Sequence, residues 1–241
     1  MMKKLVFLLS VLVFVVPASA SVIFSDDFSW GSNGPDSIGS DETGQYRLPF
    51  YWDRYAATPG STYMFLVLNG QGGGEDRTME LSQWGSNCGI QTWNAYDVNS
   101  GSKLNISVET KSDGWGWHLT GLVKGIFTYI DGEFNDDYVN TVSVPLTDIA
   151  HGVYITETEW TTRNVTMAVP AGAVKAKFVL ESYRNNGENG AIYVDNFTVT
   201  EICTAQLSAD LNGDCKVDIN DFAEFASQWL TCTKAVQSEC W

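Results

Sequence analysis

Three features of the chain predict an all-β fold built as an antiparallel β-sandwich. Short runs alternate apolar and polar residues with a period of two, Gly-, Asn- and Asp-rich turns separate them, and no long amphipathic helix precedes residue 218. Successive side chains of a strand point to opposite faces, so this alternation makes sheets with one apolar face. Two such sheets bury those faces against each other and leave the loops at the ends and rims. Residues 21–202 are long enough to bury a core of their own, and the spacing of runs and turns predicts roughly eight to ten strands.

The elements follow in chain order. MMKKLVFLLSVLVFVVPASA places Lys3 and Lys4 before an apolar run, Leu5–Val16, with Ala18 and Ala20 at the small-residue positions of a cleavage site. Residues 1–20 therefore read as a secretory signal peptide. The run is too short for a membrane span, which needs about 20 residues, and no later run is longer. In the body, Leu104, Ile106 and Val108 form one apolar face. Val165, Met167 and Val169 form another; Val174, Ala176, Phe178 and Leu180 a third, against exposed Lys175 and Lys177; and Ile192 and Val194 a fourth. Asn69-Gly70, Asp113-Gly114, Asp131-Gly132 and Asn186-Gly187 are the turn signals between them.

Nine tryptophans and ten tyrosines give the body its functional signal. Trp30, Trp84, Trp93 and Trp160 are expected in the core, where large aromatics usually lie. Trp52, Trp115, Trp117 and Tyr183 fall in stretches that read as loops, and Gly114 and Gly116 around Trp115 suggest a mobile turn. Sugar rings present a C–H face and a rim of hydroxyls, so a sugar site combines flat aromatic surfaces with polar side chains. Arg184 and Asn185, in Ser182–Gly190, are the candidate polar half. The opening VIFSDDFSWGS and the closing AIYVDNFTVT resemble the first and last strands of jelly-roll carbohydrate-binding modules. That resemblance implies a structural calcium shared by Asp27 and Asp195; the alternative is that Asp195 bonds neighbouring backbone.

Residues 203–241 form a separate tail. Counting Asp210 as position one, Asn212, Asp214, Asp218 and Asp221 stand at three, five, nine and twelve, and Lys216 at seven offers its carbonyl. This is the register of an EF-hand calcium loop, whose alternate residues turn hard oxygen donors inward. The following helix carries Phe222, Phe225, Ala226, Trp229 and Leu230 as one apolar stripe. The segment resembles half of a dockerin, the calcium-binding module that attaches secreted polysaccharide-degrading proteins to a scaffold. It departs from that pattern in having a single hand, Cys215 at position six in place of the usual Gly, and Ile219 and Asn220 at ten and eleven. The resemblance implies a cohesin-like or cell-surface partner.

All five cysteines lie beyond the signal, and export permits disulfides. A helix between Cys215 and Cys232 would carry them about 15–18 Å apart, beyond bridging reach. The expected pairs are Cys203–Cys215 and Cys232–Cys240, with Cys88 a buried free thiol.

Charge narrows the function classes. Two of the 14 basic residues fall in the signal, so 29 acidic residues leave the mature chain at about −17. Such a surface repels nucleic acid. No paired-carboxylate series, GxSxG elbow, HExxH site or P-loop occurs, and no catalytic residue is assigned. The expectation is a secreted or cell-surface, non-catalytic protein that binds a glycan and carries calcium in its tail. The alternatives are a small polysaccharide hydrolase or lyase on the same sandwich, or a structural cell-surface protein.

Overall fold

A computed structural model describes residues 20–28, 38–41, 44–47, 51–55, 63–68, 77–82, 88–116, 119–129, 139–184, 190–203, 209–212 and 215–229. Fourteen strands and one α-helix are among them. The strands are β1 (Ala20–Asp26), β2 (Ile38–Asp41), β3 (Gly44–Arg47), β4 (Trp52–Tyr55), β5 (Tyr63–Leu68), β6 (Arg77–Ser82) and β7 (Cys88–Thr92). They continue as β8 (Tyr96–Asp97), β9 (Lys103–Ser112), β10 (Leu119–Thr128), β11 (Val139–Pro145), β12 (Thr161–Ala168), β13 (Lys175–Arg184) and β14 (Ala191–Ile202). Helix α1 (Ile219–Trp229) follows.

They form two sheets. The first runs β12-β9-β14-β6-β5-β3-β2 with β1 also on β14; the second runs β11-β10-β13-β7-β4 with β8 also on β13. Pairing is antiparallel except for the contact of β3 with β5. The protein is thus an all-β, antiparallel sandwich, with more strands than the turn spacing suggests. The extra ones include β2, β3 and β8, whose sequences IGSD, GQYR and YD carry no apolar alternation.

The predicted apolar faces are the core. Leu104, Ile106, Val108, Ala176, Phe178, Leu180, Ile192 and Val194 are all buried, joined by Met167 and Val169. Val179, between two of these on β13, is equally buried, so that strand is covered on both faces at its centre. At one end Phe24, Phe28, Trp52 and Phe197 pack edge to face or tilted, with ring centroids 5.5–6.0 Å apart.

The opening and closing segments lie side by side: β1 pairs with β14 from Ala20↔Ile202 to Asp26↔Phe197. Beyond that point β14 pairs instead with β6, from Val194↔Met79 to Ala191↔Ser82. A bulge in β14 between Asp195 and Thr198 marks the change of partner, with Asn196 at φ 48°.

Candidate functional site

Strand alternation decides which aromatics reach solvent. Trp52 lies within β4, turns inward and is 2% exposed, so it belongs to the core and not to a binding loop. Its indole Nε1 donates to Asp26 Oδ2 at 2.7 Å, and the Phe28 amide donates to Asp26 Oδ1 at 2.8 Å. Burial raises the Asp26 pKa above its ordinary value, and these two hydrogen bonds work against the rise. The neighbouring Tyr51, on the other face, is exposed.

Trp93 also departs from expectation: it is 67% exposed. Its amide donates to the Tyr51 carbonyl at 2.8 Å, extending the β4–β7 ladder by one pair beyond Trp52↔Thr92. The pair Tyr51–Trp93 therefore continues the face of Asp53 and Gln91, which is the outer face of the six-stranded sheet. Trp160 is half-buried, with Lys111 Nζ 4.6 Å above its ring. Trp30 and Trp84 lie outside the described residues.

Register carries this outer face across the sheet. Gln91 pairs with Val179, Gly89 with Glu181 and with Tyr55, Lys124 with Val179, Leu122 with Glu181, and Thr120 with Tyr183. Tyr183 is 41% exposed at the far end from Trp93. At ~3.3 Å per residue the two ends are about 20 Å apart along the strands. Between them Val179, Glu181 and Thr120 are buried. Lys124 forms an ion pair with Glu181, and its Nζ sits 5.0 Å from the Tyr55 ring centroid. The face thus carries exposed aromatics at both ends and, between them, a largely buried stretch that holds the Lys124–Glu181 pair.

Trp115 stands at the Tyr183 end, in the turn between β9 and β10, and is 78% exposed. Arg184 closes β13 opposite Leu119, near that turn, with its side chain outside the described set. Trp117 and Asn185 are outside the described residues.

The tail begins where β14 ends. Cys203 and Cys215 form the expected disulfide, with Cα atoms 5.2 Å apart, and Cys88 is a buried free thiol whose pKa burial pushes well up. Cys215 has φ 67°, the left-handed conformation for which glycine is favoured, at a cost of roughly 1–2 kcal/mol for an L-residue. The Asp210 carboxylate accepts the Cys215 amide at 2.9 Å. Asp221 is buried and closes the loop, its Oδ1 accepting Leu211 N–H at 2.7 Å and Asn212 N–H at 3.4 Å, its Oδ2 accepting Asp218 N–H at 2.7 Å. These amides, Asp218's foremost, lower the Asp221 pKa. Asp218 caps the helix start by accepting the Asn220 amide at 2.7 Å, and Lys216 is exposed. Asp214, Cys232 and Cys240 are outside the described residues. On α1, Phe222 and Phe225 lie 6.4 Å apart and are exposed, as are Leu211, Val217 and Ile219.

Asp27 is exposed and one ladder step beyond Asp26↔Phe197, which sets its backbone beside the Asp195–Asn196 bulge. Asp195 is buried, with Oδ1 accepting the Asn196 amide at 2.8 Å. Among the described residues no three His, Cys, Asp or Glu side chains are gathered as metal ligands.

Neither a protein-family model nor a curated protein sequence matches the chain. Solved structures resemble it in architecture. The CBM22-1 xylan-binding domain of Paenibacillus barcinonensis Xyn10C is 12% identical over 79% of this chain and 100% of that one, with a TM-score of 0.46. The Stig cyclase Fisc of Fischerella sp. TAU is 13% identical over 76% and 98%, TM-score 0.46. The enzymatically active domain of bacteriophage CBA120 tailspike protein 4 is 12% identical over 64% of this chain, which spans only 19% of that one, TM-score 0.44. These likenesses join a sugar-binding domain, a cyclase and a tailspike, so they do not distinguish among functions.

Proposed function

We propose that this is an exported, non-catalytic protein that binds a linear, neutral polysaccharide and carries a calcium-binding attachment tail. The observation that carries the reading is the outer face of the six-stranded sheet, where Tyr51 and Trp93 at one end and Tyr183 at the other stand exposed on either side of a buried stretch. Aromatic rings in this position stack on the C–H faces of sugars, and Gln91 and Asp53 beside them offer hydrogen bonds. Lys124 neutralises Glu181 in the stretch between these rings. A span of about 20 Å suits an extended chain of several rings better than a single terminal sugar. Trp115 adds a ring at the Tyr183 end. Calorimetric titration with soluble neutral glycans, run beside a product assay on the same mixtures, tests this. Heat without new product supports binding; release of reducing ends or unsaturated sugars moves the reading to a hydrolase or lyase; absence of both overturns it in favour of a structural role.

For the tail, the donor chemistry fits a hard cation. The described loop positions bear oxygen, the one cysteine in the loop is withdrawn into a disulfide, and Asp210 and Asp221 already fold the loop around their carboxylates. Asp210, Asn212, Asp214, Asp218, Asp221 and the Lys216 carbonyl would hold the ion, which supplies positive charge among acids that otherwise repel. The exposed Phe222 and Phe225 are then the surface for a cohesin-like or other cell-surface protein. A second calcium at Asp27 and Asp195 would bridge β1 to β14. Calcium stoichiometry that stays unchanged in Asp214→Ala and Asp221→Ala sinks the hand.

A further inference from the structure

We propose that Asp113 is a positioning residue that holds Trp115 as a preformed stacking surface. This rests on the sugar-binding reading above and says how one of its rings is presented. A tryptophan 78% exposed on a loose turn would have to be ordered on binding; here residues 113–115 are already held by hydrogen bonds.

Each of its first three amides has an acceptor. Asp113 N–H donates to the Ala191 carbonyl at 3.1 Å, Gly114 N–H to Ser112 Oγ at 3.1 Å, and Trp115 N–H to Asp113 Oδ1 at 2.9 Å. The other oxygen of the same carboxylate, Oδ2, accepts the Ala191 amide at 2.8 Å. One side chain therefore fastens the turn that carries Trp115 to the first residue of β14, one ladder step beyond the β9–β14 pair Ser112↔Ile192.

Packing closes the same joint. A Cβ on Gly190 would lie 2.9 Å from Leu119 Cδ2, 3.2 Å from Gly116 N and 3.3 Å from Asp113 Oδ1, so only glycine lets the chain before β14 press on the turn. Gly114 has φ 79° and faces Thr158 Cγ2, while Ser112 N–H donates to the Glu157 carbonyl at 2.7 Å, bracing the turn from its other flank. Flanking glycines suggest mobility in the sequence; in the fold they admit close neighbours. Among the described residues of this turn, Trp115 is the one large hydrophobic side chain left open to solvent. Asp113 does not touch the sugar in this scheme; it sets where the ring stands.

The test uses the full mature protein and a glycan that binds it. Trp115→Ala must first weaken binding; if it does not, the sugar-binding reading fails at this end and the proposal fails with it. Given that loss, Asp113→Ala is expected to weaken binding about tenfold. In the Trp115→Ala background it should cause no further loss. In protein carrying 5-fluorotryptophan, the Trp115 fluorine signal, assigned by its disappearance in Trp115→Phe, should broaden or shift in Asp113→Ala. Asp113→Asn keeps one of the two acceptors and should fall between wild type and Asp113→Ala in both readouts, which keeps the test decisive if the alanine variant does not fold. Unchanged affinity and an unchanged Trp115 signal in Asp113→Asn overturn the positioning role while leaving the sugar-binding reading intact. An equal loss from Asp113→Ala with and without Trp115 also overturns it.

Discussion

Asp26 and Asp221 are both buried carboxylates that accept amides, yet they respond to acid in opposite senses. Desolvation dominates at Asp26 and raises its pKa, so its contribution to stability is fully present below the ordinary value of 3.8 and is lost as pH rises through the higher folded value. Asp26→Asn should flatten that part of the stability profile, read by urea denaturation across pH. Asp26→Ala leaves the Trp52 indole and the Phe28 amide without an acceptor and should cost about 1–3 kcal/mol. At Asp221 the hydrogen bond from the Asp218 amide leads and the pKa is lowered. Its contribution is present above 3.8 and fades as pH falls through the lower folded value. Helical signal from α1 should therefore decline on acidification at a pH where the sandwich still holds.

Among the elements, β10 and β13 share the pair Lys124–Glu181, with the Glu181 side chain only 4% exposed. Lys124→Met would strand that carboxylate and should destabilise by about 3–5 kcal/mol, whereas Lys124→Met with Glu181→Leu should recover most of the loss. Chemical denaturation of the two variants checks this. The tail is expected to behave as another unit. Its disulfide closes a loop of sequence separation 12, worth about 3 kcal/mol in the chain-entropy account, and offsets the left-handed backbone at Cys215. Mild reduction should speed hydrogen exchange in residues 209–229 and leave β9, β10 and β13 protected; loss of protection throughout would mean that the tail supports the sandwich.

At the scale of the molecule, the sandwich was legible because alternation in runs such as Leu104–Val108 has no other economical solution. What stayed hidden depends on register. Lys124 and Glu181 meet only because β10 and β13 pair as they do, and Trp93 reaches solvent because of the face on which its ladder position falls, which hydrophobicity does not record. Trp52 was misplaced for the same reason: beside Tyr51 it reads as loop, but one step along the strand reverses its direction. The Cys203–Cys215 disulfide was legible by helix length. β14 then orders the whole: the tail leaves from its last residue, while Asp113 and Trp115 gather at its first. Its 12 residues separate the two ends by about 40 Å. That arrangement has a mechanical side. β14 is bonded by β9 on one flank and by β6 and then β1 on the other, so tension drawn through the tail runs lengthwise along a strand held from both sides. Its ladder bonds bear the load together, in shear, where an edge strand pulled sideways would part bond by bond. In single-molecule pulling, the sandwich should resist force applied through Cys203 better than force that peels β12 from the sheet's edge.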